Sequence, residues 1–221
     1  MTGPLALVGG APFTAGCTFD AGLLAASGGT EVAVLPTGSA YEHPGRLVDA
    51  ARTWFASMGA DVLDVPVLTR ADALDEANAA MVAGARFVYL AGTSPMHLRS
   101  VLKDTPTWDA LVGAWEAGAV VAGANAGADV LCDPMVDSRG GAFTVGLGLV
   151  EGLAVIPRFN TWSHEKVHRT VQLAPRDLQL VGVPEATAVL RDPDGSWRAE
   201  GVGEVVVYVG GEASSLSSLS A

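Results

Sequence analysis

Cysteine is scarce in this 221-residue chain. Cys17 and Cys132 lie far apart with no paired spacing, so neither a disulfide framework nor a Cys-based zinc site is signalled, and both read as reduced thiols. Positive charge is scarce as well. Thirteen Lys and Arg stand against 24 Asp and Glu, a formal net charge of −11. Such a chain repels phosphate backbones and anionic lipid surfaces, which excludes nucleic acid and membranes as expected partners. No charge precedes Asp20, yet Pro4, Pro12 and scattered Gly and Thr make the first stretch a poor spanning helix. It also lacks the basic start and continuous apolar block of a signal peptide, so a cytoplasmic location is the default expectation.

What the chain does have is apolar material. Hydrophobic residues make up 49% and charged ones 17%, enough to offset the entropy of ordering. Area scaling with mass lets about 70% of the open chain's surface be buried. One domain over residues 1–211 is expected. The Ser-rich end, residues 212–221, has no periodicity and reads as a flexible tail.

Short runs rich in Val, Leu and Ile alternate with stretches of helical period, the pattern of a parallel sheet buried on both faces. Leu5 to Val8, Val32 to Leu35, Val62 to Val65, Phe87 to Ala91 and Ala119 to Ala122 are the strands expected. Pro44 to Met58 places Leu47, Ala51, Trp54, Phe55 and Met58 on one helical stripe, and Trp108, Leu111, Val112 and Trp115 repeat the spacing. After about residue 140 the texture turns to β-type runs at Phe143 to Val150, Leu153 to Ile156, Leu178 to Val183, Thr187 to Arg191 and Val205 to Val209. Asp192-Pro193-Asp194-Gly195 predicts a hairpin turn, because Pro presets one angle and Gly accepts positive φ. A helix is expected from His164 to Leu173.

Residues 119 to 131 read AVVAGANAGADVL: an apolar strand, a tight small-residue turn, then a helix start. In α/β hydrolases such an elbow presents a nucleophile at a strand tip, with small neighbours because the backbone is crowded. Here the tip is Asn125, one of the few non-glycine residues that tolerates positive φ. Elbow and ordinary strand-to-helix connection both remain open at this level.

Across LALVGGAPF, YLAGTSPMHLRSVLKDTPTWDAL, GANAGADVL, GLGLVEGLAVIPRF and VGVPEATAVL, the chain resembles the cyanophycinase and dipeptidase E group of serine peptidases. The resemblance implies a three-layer α/β sandwich with a mainly parallel sheet, like class I glutamine amidotransferases and flavodoxin, and a homodimer. It also implies a Ser where Asn125 stands and a His where Arg158 stands. The family's late acidic residue matches Glu185. One backbone N–H of the family's oxyanion hole falls at Gly92-Thr93, the other at Ala126, ahead of Gly127 and Ala128. A carboxamide does not attack as a Ser hydroxyl beside a base does, and a guanidinium does not accept a proton at ordinary pH. The expected role is therefore that of a catalytically degenerate homologue holding a small acidic or peptide-like ligand near Gly92, Thr93, Ala126, Gly127 and Arg158, since an Arg fork suits carboxylate. Mutual neutralisation of Arg158 and Glu185 is the plain alternative. A non-catalytic dimeric scaffold is another.

HEKVH at 164–168 has the spacing by which zinc peptidases set two His on one helical face beside a Glu base. Ser163 suits an N-cap, and Val167, Val171 and Ala174 define the buried stripe with His164 and His168 on its flank. Lys166 puts a cation inside the motif, and only Glu185 offers itself as a third ligand. A boundary helix with solvated His side chains is the simpler reading; an active hydrolase by a non-family route, including a zinc-dependent one through His164, Glu165 and His168, is the alternative, with no other cofactor expected. Ser94 and His97 could form a displaced pair, but Pro95 marks a helix start there. Gly9-Gly10 lacks the third glycine of a dinucleotide fingerprint, and Cys132 is expected in the helix after the elbow, facing the core.

Overall fold

Residues 1–219 are described in the computed structural model. Five parallel strands form its centre: β1 (Leu5–Val8), β2 (Glu31–Gly38), β3 (Asp61–Asp64), β4 (Phe87–Gly92) and β5 (Val120–Asn125). Their order is β1-β5-β4-β2-β3, and the antiparallel hairpin Thr187–Arg191 with Trp197–Gly201 extends the β1 edge to make seven strands. The hairpin turns at the Asp192 to Gly195 signal, where the Gly195 N–H donates to the Asp192 carbonyl at 2.9 Å.

The near-continuous apolar runs follow from what covers the sheet. Successive strand residues face opposite sides. Leu5, Leu7, Ala33, Leu35, Val88 and Leu90 join one buried cluster, whereas Ala6, Val8, Val32, Val34, Phe87 and Tyr89 join another on the opposite face. Both sides are apolar because helices pack on both. On the second face Val48, Ala51 and Phe55 of the helix Pro44–Ala56 are buried, with Leu47, Trp54 and Met58 packed at its margin. Leu111 and Trp115 of the helix Pro106–Glu116 serve the first face, and the Trp115 indole N–H donates to the Gly3 carbonyl at 2.8 Å.

Two short helices, Arg70–Ala73 and Glu76–Ala83, for which no expectation was formed, pack against the helices Pro95–Leu102 and Pro106–Glu116 and add Ala73 and Val82 to the first-face cluster. Their signal was present. Thr69 and Asp72 form a capping box, and Asp75 caps the second helix by accepting from the Ala77 N–H.

A second sheet holds Leu153–Pro157, Gln179–Val183, Val206–Val209 and Glu212–Ser214, in that order. Here three expectations need correction. The run 143–150 is not one strand. Only Ala142–Thr144 and Val150–Glu151 are extended, because Gly146 passes so close to Cys132 that a Cβ would lie 1.7 Å from its carbonyl oxygen, and the Leu147 N–H turns inward to the Val130 carbonyl at 2.8 Å. Cys132 lies in the short strand Cys132–Asp133 and not in the preceding helix. The segment read as a loose tail is built in: Glu212–Ser214 pairs with Val206–Val209, and Leu219 is 8% exposed within the main core. Its Ser content hid one buried leucine. The last two positions of that expected tail lie outside the described residues. Among the described residues no helix is long and apolar enough to cross a membrane.

Candidate functional site

The chain leaves β2 for β3 on one side and returns to β4 on the other, so the carboxyl ends of β2 and β4 flank the point where strand order reverses. Open α/β sheets bind ligands there. Gly92 closes that end. It pairs in register with Gly38 and with Asn125, at φ +138°, and a Cβ on it would lie 2.1 Å from the Gly38 carbonyl carbon. Only glycine fits. Above it, a cavity of about 200 Å³ is lined by Ser39, Thr93, Asn125, Arg158 and Glu185. A neighbouring polar cavity of about 320 Å³ shares Thr93, Asn125 and Arg158 and adds Ser138, Ser163 and Lys166. Residues distant in sequence, Asn125, Arg158 and Glu185, are thus gathered around one space.

Strand β5 ends at Asn125 and the helix Ala126–Val130 begins at the next residue. Asn125 has φ 53° and ψ −106°. That ψ lies outside the left-handed region where Asn is tolerated, so tolerance of positive φ does not explain the turn. Packing does. A Cβ on Gly123 would come within 2.5 Å of the Gly127 carbonyl carbon, and one on Gly127 within 2.3 Å of the Leu90 carbonyl oxygen, so strand and helix are pressed backbone to backbone. The sharp elbow exists without a nucleophile on it. A residue held in so sparse a region stores about 1–3 kcal/mol. Asn125→Gly is therefore expected to stabilise the fold by about 1 kcal/mol, after glycine's added chain entropy, and to raise Tm by about 2–4 °C. An unchanged or lower Tm in thermal unfolding would show that the elbow is unstrained.

Arg158 follows the strand Leu153–Pro157 in the left-handed conformation, φ 52° and ψ 37°, and its N–H donates to the Gly9 carbonyl at 2.8 Å. Its Nε donates to Glu185 Oε1 at 2.9 Å. The two side chains are 48% and 32% exposed, so solvent screens the pair and it adds about 0–1 kcal/mol to stability. Asn160, absent from the sequence-based candidates, holds the same carboxylate: its Nδ2 donates to Glu185 Oε2 at 3.4 Å, and its Oδ1 accepts from the Glu185 N–H at 2.8 Å. Glu185 is oriented from two sides. Among the described residues the terminal guanidinium nitrogens of Arg158 make no further hydrogen bond.

On the opposite wall, beside the Gly92-Thr93 pair expected to offer an oxyanion donor, the Thr93 N–H donates to the Gly38 carbonyl at 3.0 Å, and the Ser94 N–H meets the same oxygen at 2.9 Å. The Thr93 N–H is therefore not free to face the cavity. The Thr93 hydroxyl donates to Glu42 Oε2 at 2.7 Å, which brings a second unanticipated carboxylate to the rim. Ala126 keeps its place as first residue of the helix, where an N–H has no intrahelical partner. Ser94 stands at the N-cap of Pro95–Leu102, and His97 turns away from it, with Nε2 at 2.9 Å from the Leu68 carbonyl and its ring against Tyr41.

The helix His164–Leu173 begins where expected, with the Ser163 hydroxyl accepting from the Lys166 N–H at 3.3 Å. His164 and His168 are exposed, their rings parallel and 6.5 Å apart. Glu185 does not join them, since its oxygens are taken by Arg158 and Asn160. Among the described residues no three His, Cys, Asp or Glu side chains are grouped to hold a metal ion. Lys166 turns away from the pair: its ammonium donates to the Ser138 carbonyl and stands 3.6 Å over the Trp162 ring. Partial burial lowers its pKa, with Asp137 opposing. Both thiols are buried, and desolvation raises their pKa values, which makes them poor nucleophiles.

The profile of peptidase family S51 matches residues 19–196. Cyanophycinases from Synechococcus elongatus and Thermosynechococcus vestitus are each 26% identical over 192 residues, covering 82% of this chain. The chain spans 60% of the length of those relatives. In three dimensions it is similar to a peptidase from an acI-B1 Actinobacterium, with a TM-score of 0.84, 27% identity and 97% of both chains covered. A peptidase E-like protein from Listeria monocytogenes EGD-e, at 18% identity and TM-score 0.67, covers 92% of this chain and shares its fold.

Proposed function

The chain belongs to peptidase family S51, and from that premise we propose that it is a member whose inherited cleft binds a small acidic or peptide-like ligand without hydrolysing it. A homodimer is the setting that the resemblance implies. Acyl transfer by the family's route needs an attacking oxygen, a proton acceptor and donors for the oxyanion. Asn125 supplies no such oxygen, Arg158 accepts no proton, and the Thr93 N–H is engaged with Gly38.

The observation that carries the reading is the state of Arg158. Glu185 takes only its Nε, so the two terminal nitrogens remain to grip a carboxylate in the cavity beside Asn125. Lys166 adds a second cation to the adjoining polar cavity. Neutralisation by Glu185 is therefore partial in geometry, which favours ligand binding over a purely structural ion pair.

Calorimetric titration with Asp-Xaa and β-aspartyl dipeptides tests this. Binding without turnover is expected, weakened about 10- to 100-fold by Arg158→Ala, the loss of a charge-assisted bond of about 1.5–3 kcal/mol. Binding that ignores the substitution, or cleavage by the unaltered protein, would sink it.

A further inference from the structure

The segment 158–168 serves two cavities at once. Arg158, Thr161, Ser163 and Lys166 line the polar space that contains Asn125, while Phe159, His164, Val167 and His168 line a separate one of about 390 Å³. Trp162 belongs to both. The second cavity is the larger, within the range of about 300–1,000 Å³ typical of ligand pockets. Its character is different. Val171 and Tyr208 complete a lining of aromatic rings and branched aliphatic groups, with two imidazoles and no Lys, Arg, Asp or Glu.

Its walls are built. The Phe159 ring lies flat on Gly182, where a Cβ would come within 2.5 Å of a ring carbon, so the chain gives up a side chain in the second sheet to seat that ring. Val167 and Val171 present the apolar stripe of the helix, and Tyr208 faces them from the strand Val206–Val209. The partition from the polar side is the Trp162 indole with the Lys166 ammonium over it. Such a contact is weak where water reaches it. An anion beside Lys166 in the polar cavity competes for that ammonium and frees the indole.

We propose that this second cavity is a binding site for an aromatic ring, the side chain of the ligand whose acidic group lies in the Asn125 cleft. The shared tryptophan fixes the occupant: a molecule with its carboxylate against Arg158 and Lys166 meets the aromatic cavity across one indole. The ligand class thus narrows to acidic dipeptide-like molecules carrying a flat apolar side chain. This rests on the acid-binding reading of the cleft, and the experiment separates the two.

Calorimetry compares Asp-Phe with Asp-Gly on the full chain, and neutral indole is titrated in parallel while the imidazole proton resonances of His164 and His168 are followed. Burial of the ring is expected to make Asp-Phe bind about tenfold or more tightly than Asp-Gly. Val171→Trp fills the cavity and should bring the two peptides to equal affinity. His168→Trp obstructs the same space from an exposed position, so it folds even where the core substitution does not, and it should do the same. Equal affinities on the unaltered protein, or a preference that survives the variants that fold, would overturn the proposal. Failure of both dipeptides with indole still shifting the two histidines overturns the reading of the cleft and supports the ring site; silence from all three probes overturns both.

Discussion

The double variant Asn125→Ser, Arg158→His is expected to cleave β-aspartyl dipeptides about 10²-fold or more faster than either single variant, with both singles indistinguishable from the unaltered protein. Members of a nucleophile-base-acid set act as a unit, and losing one removes about 10⁴ to 10⁶ of the rate. A serine at the elbow without a base gains little, as does a histidine without a nucleophile. Together they would stand beside Glu185, already oriented by Asn160. The gain falls short of a full peptidase because the Thr93 N–H is bonded to Gly38, and one missing oxyanion donor costs about 10² to 10³. Initial rates on one dipeptide, with trapping by a serine-directed phosphonate, read the effect. A double variant as silent as the singles would mean that the cavity cannot seat a scissile bond, so the cleft was never one substitution pair away from chemistry.

Asp20→Asn is expected to flatten the pH dependence of stability and to strengthen the fold by about 4 kcal/mol at pH 8. Asp20 opens the helix Phe19–Ser27 with a fully buried side chain. Its Oδ2 accepts from the Trp54 indole at 2.8 Å, and its Oδ1 has no hydrogen-bond partner. Beside it lies Tyr89, whose hydroxyl is also buried without a hydrogen bond. Desolvation pushes the carboxyl from its ordinary 3.8 up to about 7, against the smaller lowering by Trp54. The unfolded chain ionises first. Stability is therefore complete below about pH 4, falls as pH rises toward 7, and stays reduced above, and a gap of about three units corresponds to about 4 kcal/mol. Asparagine keeps the acceptor for Trp54 and matches the protonated acid in shape. Asp129, also buried and raised by desolvation, contributes in the same direction in both proteins. Urea unfolding at pH 4, 6 and 8 should show coincident curves at the acid end and divergence at the basic end. Parallel curves would place the ionised carboxylate in contact with water.

Four of the five parallel strands were readable because each is apolar on both sides, a property that needs no tertiary knowledge; the edge strand Asp61–Asp64, exposed or half-buried throughout, was legible only through Val62 and Leu63 and lies one residue earlier than expected. Thr187 to Arg191 and the helix His164–Leu173 were readable for the equivalent reason that caps and turns flank them. The elbow could be placed but its strain could not, since ψ at Asn125 is imposed by contacts between Gly123, Gly127 and Leu90 across two strands. Arg158 and Glu185 came from family likeness rather than spacing. Glu42 and Asn160 carried no local signal at all: each becomes part of the site only through a partner far along the chain, Thr93 for one and Glu185 for the other. For a similar reason, nothing near Thr93 in sequence announces that Gly38 will take its N–H.

The exit of β1 ties the two charged residues together through the backbone. Gly9 accepts from the Arg158 N–H and Gly10 from the Ala186 N–H, both at 2.8 Å, so adjacent carbonyls moor the two segments that carry the guanidinium and the carboxylate. Any displacement of that dipeptide carries cation and anion in concert and leaves their separation intact. A molecule held in the proposed cleft is expected to slow deuterium uptake at the Arg158 and Ala186 amides, because both are moored to that dipeptide.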